Sequence, residues 1–245
     1  IPTLSPEETI PKIIDYFKAK DIVALGVACF GPIDLHKDSK TYGYITSTPK
    51  LKWQNYPLLP TLQEALAVPM GFDTDVNGSL LGEVSFGSSK GIQNAIYITI
   101  GTGVGGGVIS NGKLLHGMLH PELGHMFLVP HPEDSFAGHC PFHKNCFEGM
   151  AAGPAIEARY GKKGIELVDR KEVWEIEAYY IGQALCNLIV TLSPERIILG
   201  GGVMHQEQLF PLIRKEVARQ LNDYLKTKEI ADLDHYIVPA SLNDD

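Results

Sequence analysis

The sequence predicts an α/β protein with mixed sheets, and three observations carry that reading. Apolar runs of strand length alternate along the chain with segments of helical period. The run "DIVALGVACFG" (21–31) ends in glycine and "ERIILGGGVM" (195–204) breaks into glycines, as buried strands do where they meet a turn. The stretch "NAIYITIGTGVGGGVISNGKLLHG" (94–117) is rich in β-branched residues and broken by glycine turns, the pattern of a β-meander. Hairpins and crossovers in one chain call for sheets that are part parallel and part antiparallel.

Each element follows in order. "SPEETIPKIIDYFKAK" (5–20) opens with a capping pattern, Ser5 followed by Glu8, and spaces its apolar residues as a helix does. The strand at 21–31 comes next, then a helix over 57–66. "PMGFDTDVNGSLLGEVSFG" (69–87) runs from an apolar strand through a polar turn into a helix. After the meander, the longest helical stretch covers 171–194. A strand at 195–204 breaks into glycines, and an amphipathic helix over 209–225 closes the series. No fixed-period repeat and no low-complexity linker interrupts the chain.

A length of 245 residues allows one large domain or two smaller ones, with a sizeable core. A hydrophobic content of 44% is that of an ordinary globular protein. The net charge of -8 argues against nucleic acid as a partner, because phosphate binding needs clustered Lys and Arg. No apolar run approaches bilayer length, and the first residues lack the basic start and apolar core of a signal peptide. Four cysteines in a chain this long do not make a disulfide framework; Cys29 and Cys186 sit in apolar stretches and read as core residues. The expected compartment is the cytoplasm, so the sequon at Asn77–Ser79 is read as accidental.

Several motifs carry chemistry. "GTGVGGG" (101–107) lies between two strands and lacks the Gly-Lys-Ser/Thr of a Walker loop. Glycines at such a turn can still offer backbone N–H groups to a phosphate, with Thr102 adding a hydroxyl. A plain hairpin turn is the simpler alternative. "GGGVM" (200–204) sits at a strand end, a common ligand position, or is merely that strand's end. "GVACFGP" (26–32) reads at least as well as a tight turn. In "DTDVN" (73–77), Asp73 reads first as a turn or cap residue. Asp75, at a strand end in a protein with phosphate-type loops, is a candidate general base for a hydroxyl attacking phosphorus. Finally, Cys140-x2-His143-x2-Cys146 puts three zinc-type ligands in one loop and needs a fourth from elsewhere.

The stretches "GVACFGPID", "DTDVNGSLLGE", "YITIGTGVGGGVI", "HPELGH", "CPFHKNCFEGMAAGPAI" and "SPERIILGGGVM" occur in the order found in the ROK sugar kinases. The chain resembles that family, and within it the bacterial fructokinases, over most of its length. His120-Pro121 before Glu122 is typical of the fructokinase-like branch. The resemblance implies an actin/hexokinase-like (ribonuclease H-like) fold of two α/β domains with sugar and ATP in a cleft. On this chain it implies a smaller domain over 1–86 and a larger one with the zinc loop over 87–238. Residues 239–245 would begin a segment returning to the smaller domain. It implies that Asp75 is the catalytic base and that Asn77, Glu122, His125 and Glu148 contact the sugar. ATP would meet Gly101, Thr102, Gly103, Gly105, Pro154, Gly200, Gly201 and Gly202, with Mg²⁺ on its phosphates.

For zinc, the resemblance points to His125 beside Cys140, His143 and Cys146, with His139 and His131 as alternatives; the ion would be structural. The family starts with a hairpin carrying "GGTK" and ends with a Gly- and Ala-rich helix, and this chain begins after the first and stops before the second, so activity is read for the complete protein. The expected activity is ATP-dependent phosphorylation of fructose at its 6-hydroxyl. Mannose or glucose as substrate, or a sugar-responsive ROK repressor without its DNA-binding domain, are the alternatives. A homodimer is implied by the family's habit.

Overall fold

A computed structural model describes residues 1–242 and divides the chain into two compact units. The first holds residues Ile1–Gly78 and His116–His120; the second holds Ser79–Leu115 and the chain from Pro121 onward. The last three positions of the segment expected over 239–245 lie outside the described residues.

The first unit follows the expected order. Helix α1 (Pro6–Lys18) starts at Ser5, whose N–H and hydroxyl both donate to the Glu8 carboxylate, at 3.4 and 2.9 Å. Strand β1 (Leu25–Cys29) and strand β2 (Met70–Thr74) pair in parallel, joined through helix α2 (Leu58–Leu66). Ile10, Ile33, Ile45, Trp53, Leu58 and Leu62 form the core, and Trp53 Nε1 donates to Leu4 O at 2.7 Å. β1 is shorter and more open than its apolar run predicts: its positions alternate between half-buried and exposed. The exposed ones are Gly26 and Ala28, so apolar composition counted as burial what is only small size. β2 leads without a gap into α3 (Asp75–Ser85).

The second unit is built on a five-stranded mixed sheet. β3 (Ala95–Ile100), β4 (Val104–Ser110) and β5 (Lys113–Leu114) form the expected antiparallel meander. Two short helices and one long one follow: α4 (Phe147–Ala151), α5 (Gly153–Tyr160), and then α6 (Lys171–Leu192) after a brief 3₁₀ turn at Gly164–Glu166. β6 (Arg196–Gly200) lies parallel to β3 on its other side. After α7 (Leu209–Leu221), α8 (Lys228–Ala231) and α9 (Leu233–Tyr236), β7 (Ile237–Pro239) completes the order β5-β4-β3-β6-β7. β3 is central and almost wholly buried, which its unbroken apolar run requires. Ile96, Ile98, Ile197 and Leu199 pack with Trp174, Ile181 and Leu185 of α6 and Ile213 and Val217 of α7. Each such side chain contributes about 1.5–3 kcal/mol by leaving water.

α6 stops at Leu192 and α7 at Leu221 because Ser193 and Asn222 turn left-handed, at φ 48° and 47°. The sequence does not forecast α4, α5, α8, α9 or β7, since three to eight residues are too few for a period to show. No helix among the described residues is long and apolar enough to cross a membrane.

Candidate active site

In the first unit, Asp75 is the first residue of α3 and is exposed; its Oδ1 accepts the Val76 N–H at 2.9 Å. The cap of this helix is Thr74 and not Asp73: Thr74 Oγ1 accepts the Asn77 N–H at 3.2 Å. Asp73 instead binds across the turn, with Oδ1 accepting from Thr74 N at 2.8 Å and Asn77 Nδ2 at 2.6 Å. Its Oδ2 lies 2.9 Å from His116 Nε2. No local pattern singled out His116, because its partner comes from a distant part of the chain. Asn77 is buried, at 1% exposure. On the strand alongside, burial and then the Asp75 charge push the Cys29 thiol up to about 12, so it is inert.

In the second unit, the glycine turn at 101–103, the "GGGVM" segment and the start of α5 meet. Gly101–Gly103 form the β3–β4 turn, and Gly101 O accepts the Gly153 N–H at 2.7 Å. That bond brings Pro154 and the start of α5 beside the turn. A Cβ on Gly101 would lie 3.7 Å from Gly202 N, so "GGGVM" is a neighbour as well. Gly201 holds φ +89°, and a side chain there would meet Thr99 Oγ1 at 2.6 Å, so only glycine fits. Gly105, Gly106 and Gly107 are paired strand residues of β4 rather than turn residues. Gly106 has a packing reason, since a Cβ there would meet Leu123 at 2.6 Å.

Val104, the first residue of β4, meets Glu148 directly and, through Gly124, the turn that follows Glu122 and ends at His125. Its N–H donates to Glu148 Oε2 at 3.1 Å, and Gly103 leaves that carboxylate room, since a Cβ would lie 2.7 Å from it. Glu122 precedes a 3₁₀ turn, Leu123–His125, and its carbonyl accepts the His125 N–H at 3.0 Å. Gly124 in that turn presses on the Val104 carbonyl so closely that a side chain has no space.

His125, Cys140, His143 and Cys146 place their donor atoms within 4.8 Å of one another. His125 Nδ1 lies 3.6 Å from Cys146 Sγ and 4.0 Å from Cys140 Sγ, and His143 Nδ1 lies 3.7 Å from Cys140 Sγ. A tetrahedral zinc with ordinary bond lengths sets neighbouring N and S about 3.5 Å apart, so these residues could hold such an ion with little adjustment. His131 and His139 stand outside the cluster: the first packs on Tyr179 at 4.7 Å, and the second is exposed. Burial pushes the Cys146 thiol up to about 11 against the opposing Gly149 N–H, so a cation is needed to draw out the thiolate.

The loop that carries this cluster is tied to α5 and α6. Val129 exchanges two hydrogen bonds with the Gln183 amide, at 2.6 and 3.2 Å. Asp134 accepts from Tyr180 Oη at 2.7 Å and faces Arg159 Nε at 3.1 Å as an ion pair without hydrogen-bond alignment. Arg159 also donates to Met150 O at 2.9 Å, steadying the helix that bears Glu148. Glu177 is fully buried, and desolvation holds its carboxyl well above the usual range despite Arg159.

A family model described as "ROK family" matches residues 2–245. A fructokinase of Lactococcus lactis subsp. cremoris is 50% identical over 224 residues, which cover 91% of this chain and 76% of that protein. A fructokinase of Pediococcus pentosaceus is 47% identical over 242 residues, covering 99% of this chain and 83% of that protein. The crystal structure of a ROK hexokinase from Thermus thermophilus superposes with a TM-score of 0.80 at 25% identity, over 99% of this chain and 84% of that one. The fold is therefore the expected actin/hexokinase-like one. With motifs, topology and relatives in agreement, this chain belongs to the ROK family.

Proposed function

We propose that the protein is an ATP-dependent fructokinase that phosphorylates D-fructose on its 6-hydroxyl. The observation that carries the reading is the 50% identity to a fructokinase over 91% of the chain. Asp75, exposed at the strand-to-helix turn, accepts the proton of the primary hydroxyl as that oxygen attacks the γ-phosphorus and ADP leaves. Asn77, Glu122, His125 and Glu148 bind and orient the sugar. Gly101, Thr102, Gly103, Gly105, Pro154, Gly200, Gly201 and Gly202 surround the nucleotide, with turn residues such as Thr102 and Gly103 offering it backbone N–H groups and Pro154, which has none, giving only packing. Mg²⁺ bound with ATP supplies charge neutralisation on the phosphates.

His125 Nδ1, Cys140, His143 Nδ1 and Cys146 would hold a structural Zn²⁺, leaving His125 Nε2 for a sugar hydroxyl. With four Cys and His donors such an ion would be structural, and it would hold the loop between Glu122 and Glu148 in shape. The full-length protein, given ATP and a panel of fructose, mannose and glucose in a coupled ADP assay, is expected to turn over fructose with the highest kcat/KM. A higher kcat/KM for mannose or glucose would replace the sugar assignment, and no turnover of any hexose would remove the kinase reading.

A further inference from the structure

The turn that carries Asp75 and Asn77 is organised by Asp73, and Asp73 is held in turn by His116. Both oxygens of Asp73 are engaged: Oδ1 by Thr74 N–H and Asn77 Nδ2–H, Oδ2 by His116 Nε2 at 2.9 Å. A carboxylate only accepts, so the imidazole carries a proton on Nε2 in either charge state. The same logic orients the Asn77 amide. Its NH₂ faces the carboxylate, and the 3.5 Å approach of Nδ2 to His116 Nε2 is donor against donor, not a bond. The Asn77 Oδ1 atom is left buried, with no hydrogen-bond partner among the described residues, an acceptor whose direction Asp73 dictates.

The other side of the turn is already rigid. α3 lies so close to β1 that a Cβ on Gly78 would meet the Ala28 Cβ at 2.7 Å. On the Asp73 side nothing so tight is present: the His116 and Asp73 side chains are 35% and 17% exposed, open to water and weak as a stabilising brace. A weak contact that fixes the direction of a carboxylate, an amide and the adjoining turn acts on geometry more than on stability. Without the imidazole, Asp73 is free to rotate and release Asn77.

We propose that His116 is a positioning residue for phosphoryl transfer: through Asp73 it sets the Asn77 amide and the turn that presents Asp75. The proposal rests on Asp75 being the base in the kinase reading above. Gln at 116 can place an N–H where Nε2 stood, whereas Asn places one near Nδ1, out of reach of Asp73. In the full-length enzyme, H116Q is expected to keep kcat/KM for fructose within about threefold. H116N and H116A are expected to lose about tenfold or more, while KM for ATP stays within about twofold. D73N should lose as much as H116A, and the double variant should be no worse than the poorer single one. Thermal unfolding confirms that each variant is folded, and H116Q keeps the comparison open if H116A is not. Equal loss in H116Q and H116A, an unimpaired H116A, or losses that multiply in the double variant would each overturn the proposal. Full turnover by D75N overturns the base assignment and this proposal together, whereas an inactive D75N beside an unimpaired H116A overturns this proposal alone.

Discussion

At the scale of single residues, the position of Asp75 was legible from local facts: a carboxylate where an apolar strand turns into a helix. The structure keeps it exposed at the first position of α3. Replacing it with Asn preserves shape and removes the proton acceptor. D75N is expected to lower kcat by about 10² to 10⁴, the usual worth of a positioned base. Fructose binding, measured by calorimetry, should change little, and a D75N enzyme with wild-type kcat would strike Asp75 from the mechanism. Asp73, read as a turn or cap residue, proves to be the turn residue and not the cap. Its sequence context suits a cap, but Thr74, one residue on, takes the cap and frees Asp73 to face His116.

At the scale of elements, the cysteine loop shows how far spacing carries. Cys140, His143 and Cys146 announce themselves because three ligands lie within seven residues. The fourth donor comes from another turn; spacing alone does not give it, the family resemblance pointed to His125, and the fold brings that histidine, and neither His131 nor His139, into the cluster. The loop has little regular structure, and its ties to α5 and α6 run through Asp134, Val129 and Tyr180. A metal at the cluster would therefore be a main source of its order. Chelation is expected to release about one zinc per chain and to speed proteolysis or amide exchange within 126–149, with C140S giving the same phenotype. Elemental analysis of the purified protein that finds no zinc would end the claim. The glycine turns divide in the same way. "GTGVGGG" is visible as a motif, but three of its glycines prove to be strand residues, and the contact that groups the turn with α5 is a single bond from Gly153 to Gly101.

For the whole molecule, pH dependence follows from where carboxylates are held. Glu83 is 2% exposed and accepts from Ser241 N and Oγ and from Leu242 N, at 2.6, 2.7 and 3.0 Å. Burial alone would raise its pKa, but these donors outweigh it and hold the carboxyl below its ordinary 4.5. A depressed carboxylate stabilises the fold above the unfolded value, and that contribution is lost as pH falls through the folded one. E83Q is therefore expected to cost about 1–3 kcal/mol in urea unfolding at pH 7, and to flatten the decline expected of the wild type as pH falls below the ordinary carboxylate value. Parallel pH profiles for the two proteins would refute this anchor. The sequence by itself determined the alternation of strands and helices, the buried centre of the larger sheet, the turn that presents Asp75 and the metal-type spacing. Each of these rests on periodicity or on residue chemistry within a few positions. The family resemblance pointed to His125 beside the thiols and to one nucleotide site for Gly101, Pro154 and Gly202, while the tertiary structure alone gave the distances among them and brought His116 to Asp73. Those contacts join residues far apart in the chain, and packing brings them together without leaving a local pattern to read.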